Sequence, residues 1–158
     1  MQGNPEIIES LNQLLTCELT AINQYYVHYK MCENWGYKRM AQHFKSLSMA
    51  EMKDADEVME RILFLEGLPN MQRLNPIKVG ETVPEQLELA RDLEASQVRM
   101  LNDLIKQARE AGDNGTRHLA EEGLVDEEQH LDWAEAQLGI LKDIGVQNYL
   151  AEMLGSGE

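Results

Sequence analysis

"GLPNMQRLNPIKVGETV", residues 67–83, separates two long helical segments, and its length decides how the helices around it are arranged. At ~3.3 Å per residue it can reach across ~50 Å, the whole length of a long helix. The helices before and after it therefore run parallel. The other breaks are short, at Gly36 and at "AGDNG" (111–115), so each of those joins an antiparallel pair.

Working outward from that stretch, four segments carry helical periodicity and nothing alternates as a strand would. The first runs from Pro5, suited to a first turn, to Trp35, with Gly36 as its stop; that is ~45 Å of helix at 1.5 Å per residue. The second runs from Lys38 to Glu66 and ends at Gly67 and Pro69. The third starts near Thr82 or Val83, with Pro84 in its first turn, and fades at "AGDNG". The fourth extends from Thr116 to about Ile144, with Gly145 as its stop, and "VQNYLAEML" forms a short fifth helix. No linker, low-complexity segment or repeat interrupts the order. The expectation is one all-α domain over residues 1–158: a four-helix bundle with one long crossover between helices two and three and a short fifth C-terminal helix.

Composition narrows the function. The chain has 158 residues, 43% of them hydrophobic, enough for one sizeable core. No apolar run is long enough for a membrane span, and "MQGNPEIIES" has neither the basic nor the apolar region of an export signal. Two cysteines, Cys17 and Cys32, do not imply a disulfide framework, so the expected compartment is the cytoplasm. A formal net charge of −14 argues against a nucleic-acid partner and for metal cations.

Chemistry shows where polar residues intrude on the apolar stripes. Helix one reads Leu11, Leu15, Glu18, Ile22, Tyr25 in steps of three or four. Helix two reads Phe44, Leu47, Glu51, Asp54, Val58, Ile62, Leu65. Helix three reads Leu87, Ala90, Glu94, Val98, Leu101, Ile105, and helix four Glu127, His130, Ala134, Leu138, Leu141. Each helix thus sets one glutamate on its inner face near mid-length. A single such residue is explained by a stripe edge reaching water. Four of them, brought together without cations, would cost several kcal/mol per charge or become protonated. Two divalent metals remove the difficulty. Glu and His at i and i+3 share a helix face, so Glu127 and His130 can grip one ion while Glu127 bridges to another. "MAEMKDAD" (49–56) holds the matching half, Glu51, but with Asp54 in place of a histidine. Four carboxylates balance two divalent ions; with Asp54 there are five, leaving a net charge near −1. Harder oxygen ligation then favours ferric over ferrous iron and makes manganese a stronger competitor.

"LLTCELTAINQYYVH" (14–28), "NWGYKRM" (34–40), "ERILFLEGLPN" (60–70), "DEEQHLDW" (126–133) and "GVQNYL" (145–150) together resemble bacterioferritin, the haem-containing branch of the ferritins, over nearly the whole chain. The resemblance implies a ferritin-like bundle, a hollow 24-subunit cage with a di-iron ferroxidase centre in each subunit, and a ferric mineral core. The family's centre maps onto Glu18, Glu51, Glu94, Glu127 and His130, with Asp54 where its second histidine belongs and Tyr25 matching a tyrosine beside the centre. It also implies a b-type haem shared between two subunits, held by Met52 from each. Met52 points away from the bundle interior, ~100° round the helix from Glu51, among Ser48, Met49, Asp56 and Met59, with Leu19, Asn23 and Tyr26 on the facing helix. Leu19, Ile22, Asn23 and Tyr26 would line the haem.

Some relatives carry a histidine and an aspartate on the inner cage surface where this chain has Ser46 and Ala50, and neither of these can ligate iron. Two functions follow as expectations. One is iron storage, with ferrous iron oxidised by O2 or H2O2 at the centre. The other is a haem-bearing subunit of a mixed cage, its own centre slow, working beside a second bacterioferritin subunit and a ferredoxin-like electron donor. A rubrerythrin-type peroxidase is disfavoured by the absence of Cys-x-x-Cys pairs.

Overall fold

The computed structural model describes residues 1–155. Its five helices are α1 (Pro5–Trp35), α2 (Lys38–Phe64), α3 (Val83–Glu110), α4 (Asn114–Ile144) and α5 (Val146–Glu152), with no strand among the described residues. Local chemistry sets most of these limits. The Asn4 side chain accepts from Glu6 N–H and Thr82 from Glu85 N–H, with Pro5 and Pro84 each in the first turn behind its cap. α4 starts two residues earlier than Thr116 because Asp113 caps it, accepting from the Thr116 N–H. α2 stops at Phe64 rather than Glu66. The left-handed residue that ends it is Glu66, at φ 63°, and the Gly67 N–H then returns to the Ile62 carbonyl at 2.9 Å. Gly67 is small for a different reason: a Cβ there would lie 2.7 Å from Ile8 Cγ2.

Side-chain contacts fix the helix directions. Ser10, near the start of α1, donates to Gln107 near the end of α3, and Arg61, near the end of α2, pairs at 2.7 Å with Asp113 at the start of α4. α2 and α3 therefore finish at the same end of the bundle and run parallel, as the long crossover requires. α1 packs extensively on α2 and α3 on α4, while the α1–α3 and α2–α4 seams are lighter. α5 closes the opposite end through buried Tyr149, whose hydroxyl donates to Gln137. No helix among the described residues is long and apolar enough to cross a membrane.

The crossover is held by a ladder of polar residues on α1. Asn12, Thr16, Thr20, Gln24 and His28 recur every four residues and are all buried. Asn12 donates to the Leu68 carbonyl and accepts from the Asn70 N–H. Thr16 accepts from Arg73 Nε, Thr20 from the Asn75 N–H, Gln24 from the Lys78 N–H, and His28 Nε2 from the Gly80 N–H at 2.9 Å. The segment gains partners for backbone groups that water would otherwise have to satisfy. Burial pushes His28 down to about 4, from an ordinary value of 6.5. Between those values the unfolded chain binds more protons than the folded one, so this stabilisation is complete above pH 6.5 and is lost as the pH falls toward 4. The protection of the Gly80 amide against hydrogen exchange, relative to an unstructured chain at the same pH, is therefore expected to fall across that interval more than that of Asn70, whose N–H is held by Asn12, a residue that does not titrate. An equal loss of protection at both would count against the His28 latch.

The apolar core is divided in two. One cluster centres on Tyr25, Phe44, Leu87 and Tyr149; the other on Leu11, Leu15, Ile62 and Leu104. Between them lies a layer of carboxylates.

Candidate metal centre

Each helix of the bundle supplies part of that layer. Glu18 comes from α1, Glu51 and Asp54 from α2, Glu94 from α3, and Glu127 and His130 from α4. Glu51, Glu94, Glu127 and His130 each offer one ligand atom within 4.8 Å of the others, and Glu18, Glu51 and Asp54 form a second such group. Glu51 belongs to both. Asp54, half-buried, stays with Glu18 and Glu51. On α3 the buried stripe departs from the expected Val98 and Ile105: it passes through Gln97, Leu101, Leu104 and Ala108, leaving Val98 and Ile105 half-exposed. The contact face turns by one residue after Glu94.

The electrostatics are those of a site built for cations. Glu51 and Glu94 are fully buried, Glu18 and Glu127 nearly so. Glu18 Oε1, Glu51 Oε1, Glu94 Oε2 and His130 Nδ1 have no hydrogen-bond partner. Each is a desolvated lone pair that the protein leaves unsatisfied, at a cost of about 1–3 kcal/mol apiece, more if charged. Burial first, and then neighbouring carboxylates, hold Glu18, Glu51 and Glu94 well above the usual range; Asp54 is pushed up to about 8, by burial first and then by Glu127, with Asp126 and Glu57 adding to it. Glu127 goes the other way, to about 2: burial raises it, but the closeness of Glu94, His130 and Asp54 outweighs burial. Without metal, burial and mutual repulsion thus favour the protonated form of Glu18, Glu51, Glu94 and Asp54 and the ionised form of Glu127, which lies 3.5 Å from His130 Nδ1. Oxygen-rich donors with one imidazole match divalent iron or manganese.

Tyr25, fully buried on α1, donates its phenolic hydrogen to Glu94 Oε1. Two further buried residues adjoin the layer. Gln97, one turn beyond Glu94 and buried, sits beside the α4 carboxylate; with its amide oriented to satisfy its surroundings, the nitrogen reaches both Glu127 oxygens, at 3.2 and 3.1 Å. Cys17, next to Glu18, is buried and pushed up to about 12, first by burial and then by Glu18, Glu127 and Glu94. The i+3 spacing from Glu94 is the signal by which Gln97 could have been found; nothing in the sequence distinguishes Cys17 from a core cysteine.

On the outer side of α1 and α2, Met52 is 48% exposed, with Tyr26 at 52% and Met49 at 54%. Asn23 is exposed nearby, while Leu19 and Ile22 are half-buried. One residue expected on this face is not there: Ser48 is buried in the α1–α2 seam, its hydroxyl donating to the Ile22 carbonyl, while Met59, like Leu19 and Ile22, is half-buried at the edge of the core. The exposed patch is apolar and carries a thioether sulfur, the soft axial donor a haem iron accepts. Ser46 is exposed, its hydroxyl turned to the His43 carbonyl.

Comparison with known proteins agrees with this geometry. A family model described as the ferritin-like domain matches residues 8–144. The bacterioferritin of Mycolicibacterium paratuberculosis is 43% identical over 152 residues, 96% of each chain. The chain belongs to the bacterioferritin family. Other bacterioferritins are similar to nearly the same extent: that of Streptomyces coelicolor is 40% identical over 98% of this chain and 92% of its own, and that of Brucella melitensis 40% over 94% and 92%. Bacterioferritin resemblance thus covers both halves of the carboxylate layer and the crossover between them.

Proposed function

We propose that this protein stores iron and oxidises it at the carboxylate layer, as a bacterioferritin whose ferroxidase centre carries aspartate at position 54. The observation that carries the reading is the pair of overlapping ligand groups, Glu51–Glu94–Glu127–His130 and Glu18–Glu51–Asp54, meeting at Glu51 in the middle of a core that is otherwise apolar. Two ferrous ions bound there, the substrate, give up one electron each. The oxidant takes the pair with two protons, O2 going to H2O2 or H2O2 to water. The residues' part is to bind the ions, neutralise their charge and give up the protons that Asp54 and the buried glutamates hold when no metal is present. Ferric product then leaves for a mineral inside a 24-subunit cage. Anaerobic addition of ferrous ions to the metal-free protein, followed by oxygen, tests the reading: binding of two ions per subunit and then rapid ferric absorbance are expected. Iron that binds without being oxidised faster than in buffer would leave only a structural role.

Aspartate at position 54, with Ser46 and Ala50 in place of ligands on the inner surface, supports a second reading: a haem-bearing subunit with a slow centre in a mixed cage. The two share the haem. Met52 would supply the axial thioether from each of two subunits across an isologous two-fold, with Leu19, Ile22, Asn23 and Tyr26 against the ring. Bound there, the haem would supply one-electron transfer for iron release. Met52→Leu keeps the apolar shape and removes the sulfur, so assembled cages without haem are expected by size exclusion and visible absorbance. Full haem occupancy in that variant would contradict the assignment.

A further inference from the structure

We infer that divalent cations reach the centre through a cleft between α2 and α4 whose mouth is formed by Glu57 and kept open by Gly123. The inference rests on the metal-centre reading above and names its way in. The cleft is lined by Glu18, Asp54 and Glu127 at its inner end, Leu101 on one wall, and Glu57 and Gly123 toward the outside. It offers about 10 Å³ of free space, room for roughly one water. A cation must therefore pass singly and shed most of its hydration shell. What would replace that shell is already in place: Glu18, 4% exposed, lines the inner end and has a carboxylate oxygen without any partner.

Glu57 is exposed on α2, one turn beyond Asp54, and is close enough for its charge to press on both Glu18 and Asp54. It also borders a second, outer groove with Glu60, His118 and Glu122. The one guanidinium in that groove, Arg61, is engaged at 2.7 Å by Asp113, so the groove offers cations a net acidic approach. Gly123 stands within α4, where glycine is a poor helix former. A Cβ at that position would meet only Leu101 Cδ2 at 3.5 Å and Cδ1 at 3.8 Å, ordinary contacts, so alanine would fit. Helix stability and crowding do not account for a glycine there. An unobstructed mouth does, since a larger side chain would grow into the cleft. The α2–α4 seam is also one of the lightly packed ones.

Cobalt(II) added anaerobically to the metal-free cage, with its visible absorbance followed by stopped flow and the bound metal counted at the end, separates the route from the site. One charge about 6 Å from a passing divalent ion in water, screened at physiological salt, corresponds to roughly a threefold change in rate. Glu57→Gln is expected to slow loading by about that factor and Glu57→Lys by roughly tenfold, with the differences shrinking at high salt. Gly123→Leu, which favours the helix, is expected to slow loading further without salt dependence. The final cobalt content per subunit should be the same in all four proteins. Equal loading rates in all of them would overturn the route and leave the centre standing. A lower final content in Gly123→Leu would also overturn it, since the residue would then be shaping the site rather than its mouth. No cobalt uptake by the unaltered protein would remove the metal-centre reading and the route together.

Discussion

Replacing Glu127 with alanine is expected to abolish iron oxidation, lowering the rate of ferric absorbance by at least about 100-fold, beyond the loss typical of changes around a metal's ligands. Glu127 is the carboxylate that keeps its negative charge in the metal-free protein, held down to about 2 while its neighbours are pushed up. It lies in the ligand group of His130 and also lines the cleft with Glu18 and Asp54, so its loss strips charge from both metal positions. It would also remove the Glu127 oxygens from the Gln97 amide, leaving it Glu51. Glu128→Ala, one residue on and exposed, is the matched control and should oxidise iron at the parent rate. If Glu127→Ala and the parent mineralise iron equally fast, the layer is not the catalytic centre.

The second large effect is a gain. Asp54→His is expected to speed the second and later rounds of ferrous oxidation on the order of tenfold, which corresponds to weakening the hold on ferric product by about 1.4 kcal/mol. With Asp54 ionised, two ferrous ions face five carboxylates; with histidine they face four, which balances their charge. The excess negative charge and the harder oxygen both favour the ferric ion and slow its departure. Histidine also removes a group that is pushed up to about 8 and must lose a proton before it binds metal. Loading of the parent protein should therefore strengthen as pH rises toward 8, and that dependence should be weaker in the variant, where only the buried glutamates still hold protons. Successive additions of ferrous iron with oxygen present, timed against the parent, measure the effect. Unchanged later rounds would mean that Asp54 takes no part in product release.

The helices and the crossover were legible because their signals are local. Pro5, Gly36, Pro84 and Gly145 punctuate the chain, and 67–83 is long enough to run the length of a helix, as a join between parallel helices must be. The carboxylate layer was legible because glutamates on apolar stripes stand out against what surrounds them. Features that depend on where another segment lies were not. Asn12, Thr16, Thr20, Gln24 and His28 look like a solvated face until the crossover is laid over them, since polar residues at every fourth position carry no contrast of their own. Glu66 holds the left-handed turn although glycine is the next residue, because Gly67 is pressed against Ile8. Ser48 turns inward because the neighbouring helix offers its hydroxyl the Ile22 carbonyl, an acceptor that helical projection alone does not show. Gln97 carries no signal of its own, since a neutral amide one turn from a glutamate resembles an edge residue until the partner helix supplies Glu127.

The central claim, that aspartate at position 54 completes a two-metal centre rather than spoiling it, is tested most directly by anomalous diffraction from crystals soaked in manganese(II), which occupies the site without turning over. Two peaks per subunit are predicted, one bonded by Glu18, Glu51 and Asp54 and the other by Glu51, Glu94, Glu127 and His130. A single peak on the His130 side, with Asp54 turned away from the metal, would contradict it.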